Sequence, residues 1–117
     1  MDMMQVLISF EEEYRSYMEI IAAAIRQARA GDEVVVTQLA TLEEEIERTN
    51  PDLVITSPPI PANPVAERAA WVELSLDPAK PSRFRVGERR WETTNPTLSE
   101  MLSVVDQTRG LGSRRTV

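Results

Sequence analysis

Three short apolar runs alternate with helical patterns in the first half of the chain, and this alternation constrains the fold more than any other feature. The runs are QVLISF at 5–10, DEVVVTQL at 32–39 and DLVIT at 52–56. Short apolar runs rich in β-branched residues are typical of strands buried on both faces. Strands separated by helices form parallel pairs through right-handed crossovers, so the pattern predicts an α/β fold with helices covering a sheet.

Three helix starts carry the same signature, a hydroxyl residue followed three positions later by glutamate. The pairs are Ser9 with Glu12, Thr41 with Glu44, and Thr97 with Glu100. In such a capping box the hydroxyl caps the helix and the acid reaches back to the capping residue. Each pair therefore predicts where a helix begins.

Apolar residues follow the first two signatures at helical spacing. In the first helix they are Tyr14, Met18, Ile21, Ile25 and Ala28, with Gly31 as the stop. The second helix is predicted to bury Leu42 and Ile46. It should end before Asn50, because Pro51 restricts the backbone of the residue before it.

The pattern changes after residue 61. Residues 71–76 alternate as a strand does, and the six residues DPAKPS that follow are too few for a parallel crossover. The strand RFRV at 83–86 should therefore return as an antiparallel hairpin. Gly87 and Glu88 suit a type II′ turn after it.

A closing helix is predicted after the hairpin, with one apolar face that contains Leu98, Met101, Leu102 and Val105. We assign residues 1–109 to a single α/β domain with strands 1 to 3 parallel, strand 4 expected to extend the parallel set, and an antiparallel hairpin at the C-terminal edge. Residues 110–117, GLGSRRTV, have nothing to hold them down, so a flexible C-terminal tail is expected there.

The chain has no histidine and no cysteine, which removes several classes of chemistry. Thiolate nucleophiles, disulfides, zinc sites built from Cys and His, and histidine acid/base catalysis all need these side chains. We expect no metal and no cofactor. Any reaction has to use carboxylates, hydroxyls, Lys80 or arginines.

The net charge of −6 is unevenly distributed, with the acids concentrated in residues 1–52. This distribution argues against general nucleic-acid binding. No apolar run approaches the roughly 18 residues of a membrane span. The first ten residues lack the basic flank and cleavage site of a secretion signal, so we expect a cytoplasmic protein without a membrane anchor.

Two stretches resemble the receiver domains of bacterial two-component response regulators. VLISFEEEYRSYMEII at 6–21 is similar to that family's first strand and helix, and PDLVITSPPIP at 51–61 is similar to its third strand and exit. The resemblance covers about residues 4–61 and implies a flavodoxin-like three-layer sandwich, so residues 1–109 are expected to form a receiver-like domain. It places the family's phosphate-accepting aspartate at Ser57, and the acidic pair that holds magnesium at Phe10 and Glu11.

These replacements imply that the family's phosphoryl transfer does not operate here. A serine hydroxyl without an adjacent base is a poor nucleophile, and Glu11 alone is a weak magnesium site. The resemblance places the family's hydroxyl residue at Ser75 and offers no lysine near Val86 and Gly87, where the family has one. It implies a non-catalytic regulatory module that binds a protein partner or itself, as a homodimer.

The candidate ligand-binding residues lie where the predicted first and third strands end. Thr56 and Ser57 belong to the third strand and Glu11 and Glu12 to the first, and α/β sheets bind ligands at such carboxyl ends. Structural roles are the competing interpretation: the hydroxyls satisfy a proline-rich turn and the acids complement a helix dipole. The alternative function is binding of a small anionic ligand or nucleotide, although no glycine-rich phosphate loop supports it.

Four arginines near the hairpin, Arg83, Arg85, Arg89 and Arg90, form a further candidate site. Such a cluster suits a phosphate, a nucleotide or an acidic partner. Exposed charge also protects edge strands from aggregation, which is the structural interpretation. Trp71 and Trp91 are predicted to pack against the sheet; exposed beside the arginines, they would mark a binding surface instead.

Overall fold

A single sheet of six strands organises the computed structural model, which describes residues 4–56, 70–75, 77 and 79–115. The strands are β1 (Gln5–Phe10), β2 (Glu33–Gln38), β3 (Leu53–Thr56), β4 (Ala70–Glu73), β5 (Pro81–Val86) and β6 (Arg89–Thr94). The helices are α1 (Arg15–Ala28), α2 (Leu42–Thr49) and α3 (Leu98–Arg115), with 3-10 turns at Glu12–Tyr14 and Leu39–Thr41.

The strand order is β2-β1-β3-β4-β5-β6. β1 pairs in parallel with β2 and β3, and β3 pairs in parallel with β4. The β4–β5 and β5–β6 pairs are antiparallel. The predicted parallel core and C-terminal hairpin are confirmed, because connections of a few residues are too short to cross over a sheet.

Helices cover both faces of the sheet because the central strands are apolar on both faces. On one face, here the α1 face, α1 and α3 bury a large core that includes Ile8, Ile25, Ile55, Phe84 and Val105. On the opposite α2 face, Leu42 and Ile46 of α2 pack with Leu7, Val54 and Trp71. The predicted burial of Leu42 and Ile46 is confirmed.

The two tryptophans pack on opposite faces of the sheet. Trp71 is buried on the α2 face. Trp91 is half-buried on the α1 face, where its ring stacks on Phe84 at a centroid distance of 5.2 Å. Their predicted packing against the sheet is confirmed, and the sheet itself separates them.

The capping boxes form at one of the three predicted helix starts. Thr97 Oγ1 accepts the Glu100 N–H at 3.2 Å, and the Glu100 carboxylate accepts the Thr97 N–H at 3.3 Å. The predicted Ser9 cap is wrong, because Ser9 lies inside β1 and a 3-10 turn starts only at Glu12.

The predicted Thr41 cap is also wrong. Its hydroxyl makes no capping bond to α2 and instead donates to the carbonyl oxygen of Gln38 at 3.2 Å. The last residue of β2 supplies this nearer acceptor, so the hydroxyl closes the 3-10 turn and does not cap the helix.

Positive-φ residues end one helix and turn one hairpin. α2 ends at Thr49, which confirms the predicted end before Asn50, and Asn50 follows with φ 49°. Gly87 has φ 61° at the first central position of the β5–β6 turn, whereas Glu88, at the second, does not have a positive φ. This is the φ pattern of the predicted type II′ turn.

Two aspartates near the amino end of β1 hold its backbone. Asp52 accepts the Gln5 N–H at 2.9 Å, and Asp32 accepts the Met4 N–H at 3.3 Å. Asp32 is buried and also forms an ion pair with Arg109 of α3. Pairing and hydrogen bonding satisfy a carboxylate that burial would otherwise destabilise.

α3 continues to Arg115, past the predicted end of the domain. Residues 110–115, which the sequence assigned to a flexible tail, are therefore helical in backbone, and their mobility stays a prediction. Residues 116 and 117 lie outside the described part of the chain. No helix within the described ranges is long and apolar enough to cross a membrane.

Candidate functional site

The parallel strands β1 to β4 all point the same way, so their carboxyl ends meet at one edge of the sheet. We call this edge the carboxyl rim; it is formed by Phe10, Gln38, Thr56 and Glu73. Glu11 and Glu12 follow β1 directly and lie at the rim, as the sequence predicted. Thr56 ends β3 at the same edge, whereas Ser57 lies outside the described residues.

A row of polar side chains crosses the whole sheet at the rim, on the α2 face. Residues paired across neighbouring strands point to the same face. The strand registers place Thr37, Ser9, Thr56, Glu73, Arg83 and Glu92 side by side in that order. Below this polar row the same face is apolar, since Leu7, Val54 and Trp71 occupy the preceding positions on the central strands.

Ser9 is the most unusual member of the polar row. Its side chain is 0% exposed, and among the described atoms its Oγ has no hydrogen-bond partner. An unsatisfied buried hydroxyl destabilises a fold by about 1–3 kcal/mol. The capping signature predicted Ser9 at a helix start; the signal for its burial was a polar residue within the otherwise apolar strand run at 5–10.

The neighbouring hydroxyls of the polar row are occupied locally. Thr37 Oγ1 lies 3.1 Å from Thr41 Oγ1, and the Thr41 hydroxyl donates to the Gln38 carbonyl oxygen. Thr56 is buried at the end of β3. A chain of hydroxyls that ends on a carbonyl oxygen orders the start of α2.

An open cleft of about 510 Å³ lies between the start of α1 and the ends of β1 and β2. Phe10, Met18 and Val36 line its apolar part. Glu11, Glu12, Arg15, Thr37, Gln38 and Ala40 complete the lining. The sequence predicted ligand-binding residues at the ends of the first and third strands, while this cleft lies between the ends of the first and second.

The charges around this cleft are mainly negative. Arg15 lies 3.8 Å from a Glu12 carboxylate oxygen and 3.4 Å from one of Glu19, so both acids share its charge. The Glu13 carboxylate raises the pKa of the nearby Tyr14 phenol, with a further contribution from Glu11. The lining therefore favours a cationic or neutral group at the mouth over an anionic one.

Ser75, the residue that the resemblance matched to a family hydroxyl, is engaged in the turn after β4. Its Oγ donates to the Asp77 carbonyl oxygen at 3.2 Å and accepts the Asp77 N–H at 3.3 Å. The Ser75 N–H in turn donates to the hydroxyl of Ser82 on β5, at 2.9 Å. These bonds close the hairpin, so the hydroxyl has a structural function.

The four arginines do not form one cluster, because the sheet divides them. Arg83, Arg85 and Arg90 lie on the α2 face, where Arg83 pairs with Glu92 across β5 and β6 at 4.0 Å. Arg89 lies on the α1 face, donates to the Gln107 side chain at 3.0 Å, and covers the Trp91 ring at 5.3 Å. A site that uses all four guanidiniums on one ligand does not exist in this arrangement.

The described residues contain no group of three or more His, Cys, Asp or Glu side chains that could hold a metal ion. Comparison of the chain with family models, with curated proteins and with solved structures finds no match.

Proposed function

We propose that this protein is a non-catalytic, receiver-like module that acts through protein contacts. Two features of the scaffold support the proposal. The order β2-β1-β3-β4-β5 is the flavodoxin-like order, and the sheet carries α1 and the C-terminal α3 on one face and α2 on the other. The antiparallel β5 and β6 are a departure from that fold's all-parallel sheet.

The non-catalytic part of the proposal is supported by the side chains at the end of β1. Phe10, at the position of the first acid of the family's pair, is buried in the core with its ring 6.2 Å from that of Tyr17. Only Glu11 remains of the matched pair. Magnesium needs several oxygen ligands close together, and a buried aromatic ring supplies none.

The observation that carries the protein-contact part is an exposed apolar strip on α1. Tyr17 and Ile20 are one helical turn apart and are 44% and 64% exposed. Ala24 lies one turn further along the same strip. It is half-buried, next to the face of α1 that packs on the sheet. Large apolar side chains grouped on one helix face are typical of surfaces that bind another protein.

A photoreactive amino acid placed at position 20 tests this contact in cells that express the full chain. Glu19 is the matched control, because its side chain is 62% exposed on the same helix and points away from the strip. We expect covalent protein adducts from position 20 and few from position 19. Equal labelling at both positions, or none at either, would contradict the proposal.

The non-catalytic part has its own test. The purified chain is incubated with acetyl phosphate and Mg²⁺, and its intact mass is measured. We expect an unchanged mass, and a stable phosphorylated species would defeat this part while leaving the α1 strip unaffected.

A second candidate function is binding of a small ligand at the rim, including the anionic ligand or nucleotide suggested by the sequence. The cleft of about 510 Å³ supports it, since ligand pockets commonly measure some 300–1,000 Å³. Glu11 and Glu12 at its mouth work against an anion. Thermal unfolding with ATP, with flavin mononucleotide and with an aromatic amine discriminates among these ligands, and no stabilisation by any of them counts against the function.

A further inference from the structure

β6 is the last strand of the sheet, and its outer edge is open among the residues that the structure describes. The strand has six residues, RRWETT, without proline or glycine. The chain then turns away at Asn95, which has φ 52°, followed by Pro96. An edge strand of this length presents unpaired N–H and C=O groups that are suited to pairing with another strand.

We propose that this edge binds a second copy of the chain, with β6 antiparallel to β6 of the partner around a two-fold axis at Trp91. This proposal rests on the proposed function, because both take the protein to act through contacts with another protein chain. It uses a different surface from the α1 strip, so either contact can fail without the other.

The sheet geometry restricts the register of such a pair. A two-fold axis perpendicular to the sheet keeps the α1 faces of both copies on the same side. Residues opposite each other across the new strand pair must then lie on the same face of the sheet. The axis therefore sets one residue of β6 opposite the same residue of the partner, and it does not fall between two successive residues. On β6, Arg90 and Glu92 belong to the α2 face and Trp91 to the α1 face.

Charge favours one register over the two next to it on the α2 face. An axis at Arg90 sets Arg90 against its own copy, and an axis at Glu92 does the same for that acid. Like charges directly opposite each other are destabilising. An axis at Trp91 instead sets Arg90 against Glu92 of the partner, and by symmetry this pair occurs twice.

The surroundings of Arg90 within one chain favour the same register. Arg90 is exposed and lies opposite Arg85 on β5, and among the described residues it has no ion-pair partner. Glu92 of a second copy supplies the missing negative charge. An arginine without an ion-pair partner among the described residues of one chain thus becomes paired in the dimer.

The α1 face also accommodates the pair. Trp91 is half-buried against Phe84 and would meet its own copy at the axis, burying the rest of the ring. α3 packs with Phe84 and Val86 of β5, and with strands about 4.8 Å apart the two α3 helices would lie roughly 14 Å from each other. That spacing avoids a clash and leaves a groove for the tryptophans.

Variants with a reversed charge test the register. The dimerisation of each full-length variant is measured by sedimentation velocity over a range of concentrations. Arg90→Glu sets Glu against Glu twice, and Glu92→Arg sets Arg against Arg twice. We expect the wild-type chain to dimerise and each variant alone to weaken the dimer by about tenfold or more. An equimolar mixture of the two variants should dimerise again, because both opposing pairs then have unlike charges.

Circular dichroism and thermal unfolding of each variant establish that its fold is retained. Arg90→Glu is the safer variant, since it places an acid opposite Arg85 within the chain. A wild-type chain that stays monomeric overturns the proposal and means that the edge arginines only block association. A dimer that neither variant weakens, or a mixture that fails to reassociate, overturns it equally.

Discussion

Arg29 binds both carboxylate oxygens of Asp106, with Nε 2.8 Å from Oδ1 and Nη2 2.7 Å from Oδ2. The pair joins the residue after α1 to the middle of α3 across 77 positions of sequence. The hydrogen bond from Arg29 is the main cause of a lowered pKa for Asp106, which slight burial only partly opposes.

This pair predicts a pH-dependent contribution to stability. A carboxyl group whose pKa is lowered by folding stabilises the protein above its unfolded pKa of about 4, and that contribution is lost as pH falls through the folded pKa. Asp106→Asn should therefore lower the free energy of unfolding at pH 7 by less than about 1 kcal/mol, because the pair is partly exposed. Urea unfolding from pH 7 down to pH 3 measures the free energy of unfolding of both chains. The difference between wild type and variant should shrink below about pH 4, and a constant difference would mean that packing causes the effect.

The unpaired hydroxyl of Ser9 predicts a substitution that does not destabilise the fold. Ser9→Ala removes a buried polar atom without a partner, so we expect the free energy of unfolding to stay level or rise by about 1 kcal/mol. Thr108→Val is the control, because the buried Thr108 hydroxyl donates to the Val104 carbonyl oxygen at 2.8 Å and its loss should destabilise by a similar amount. Urea unfolding of both variants checks the opposite signs, and equal losses would show that Ser9 is hydrogen-bonded.

The two threonines that precede helices should respond differently to the same substitution. Thr97→Ala removes a formed capping box from α3 and should lower the free energy of unfolding by about 1 kcal/mol. Thr41→Ala removes a bond to the exposed turn before α2, and we expect a loss below about 0.5 kcal/mol. Chemical denaturation measures both, and a larger loss for Thr41 would contradict its assignment to the turn.

Two glycines provide a further matched pair. Gly87 has φ 61°, where an added Cβ is strained, so Gly87→Ala should destabilise by about 1 kcal/mol. Gly31 has open space around its Cα and no positive φ, so Gly31→Ala should be neutral or slightly stabilising. Thermal unfolding ranks the two, and equal effects would argue against the assigned hairpin turn.

Much of the candidate site followed from local patterns. The position of Glu11 and Glu12 after β1 and the placement of Arg83 and Arg85 on one face were both predictable, since strand ends and alternation are read from neighbouring residues. The separation of Arg89 from Arg90 by the sheet also follows alternation, once the two-residue turn at Gly87 sets the register. The role of Ser57 stays a prediction, because that residue lies outside the described part of the chain.

The sequence by itself determined the order of strands and helices, the hairpin turn and the capping box of α3, because these depend on contacts between residues close in the chain. The sequence placed Ser9 both in a strand run and at a helix cap, and the tertiary structure decided for β1, because pairing with Thr37 and Thr56 on two neighbouring strands keeps the chain extended to Phe10. The Arg29–Asp106 pair is likewise a product of the fold. No local pattern predicts this contact, because the two residues are distant in the chain and meet only after the sheet has brought α1 and α3 together.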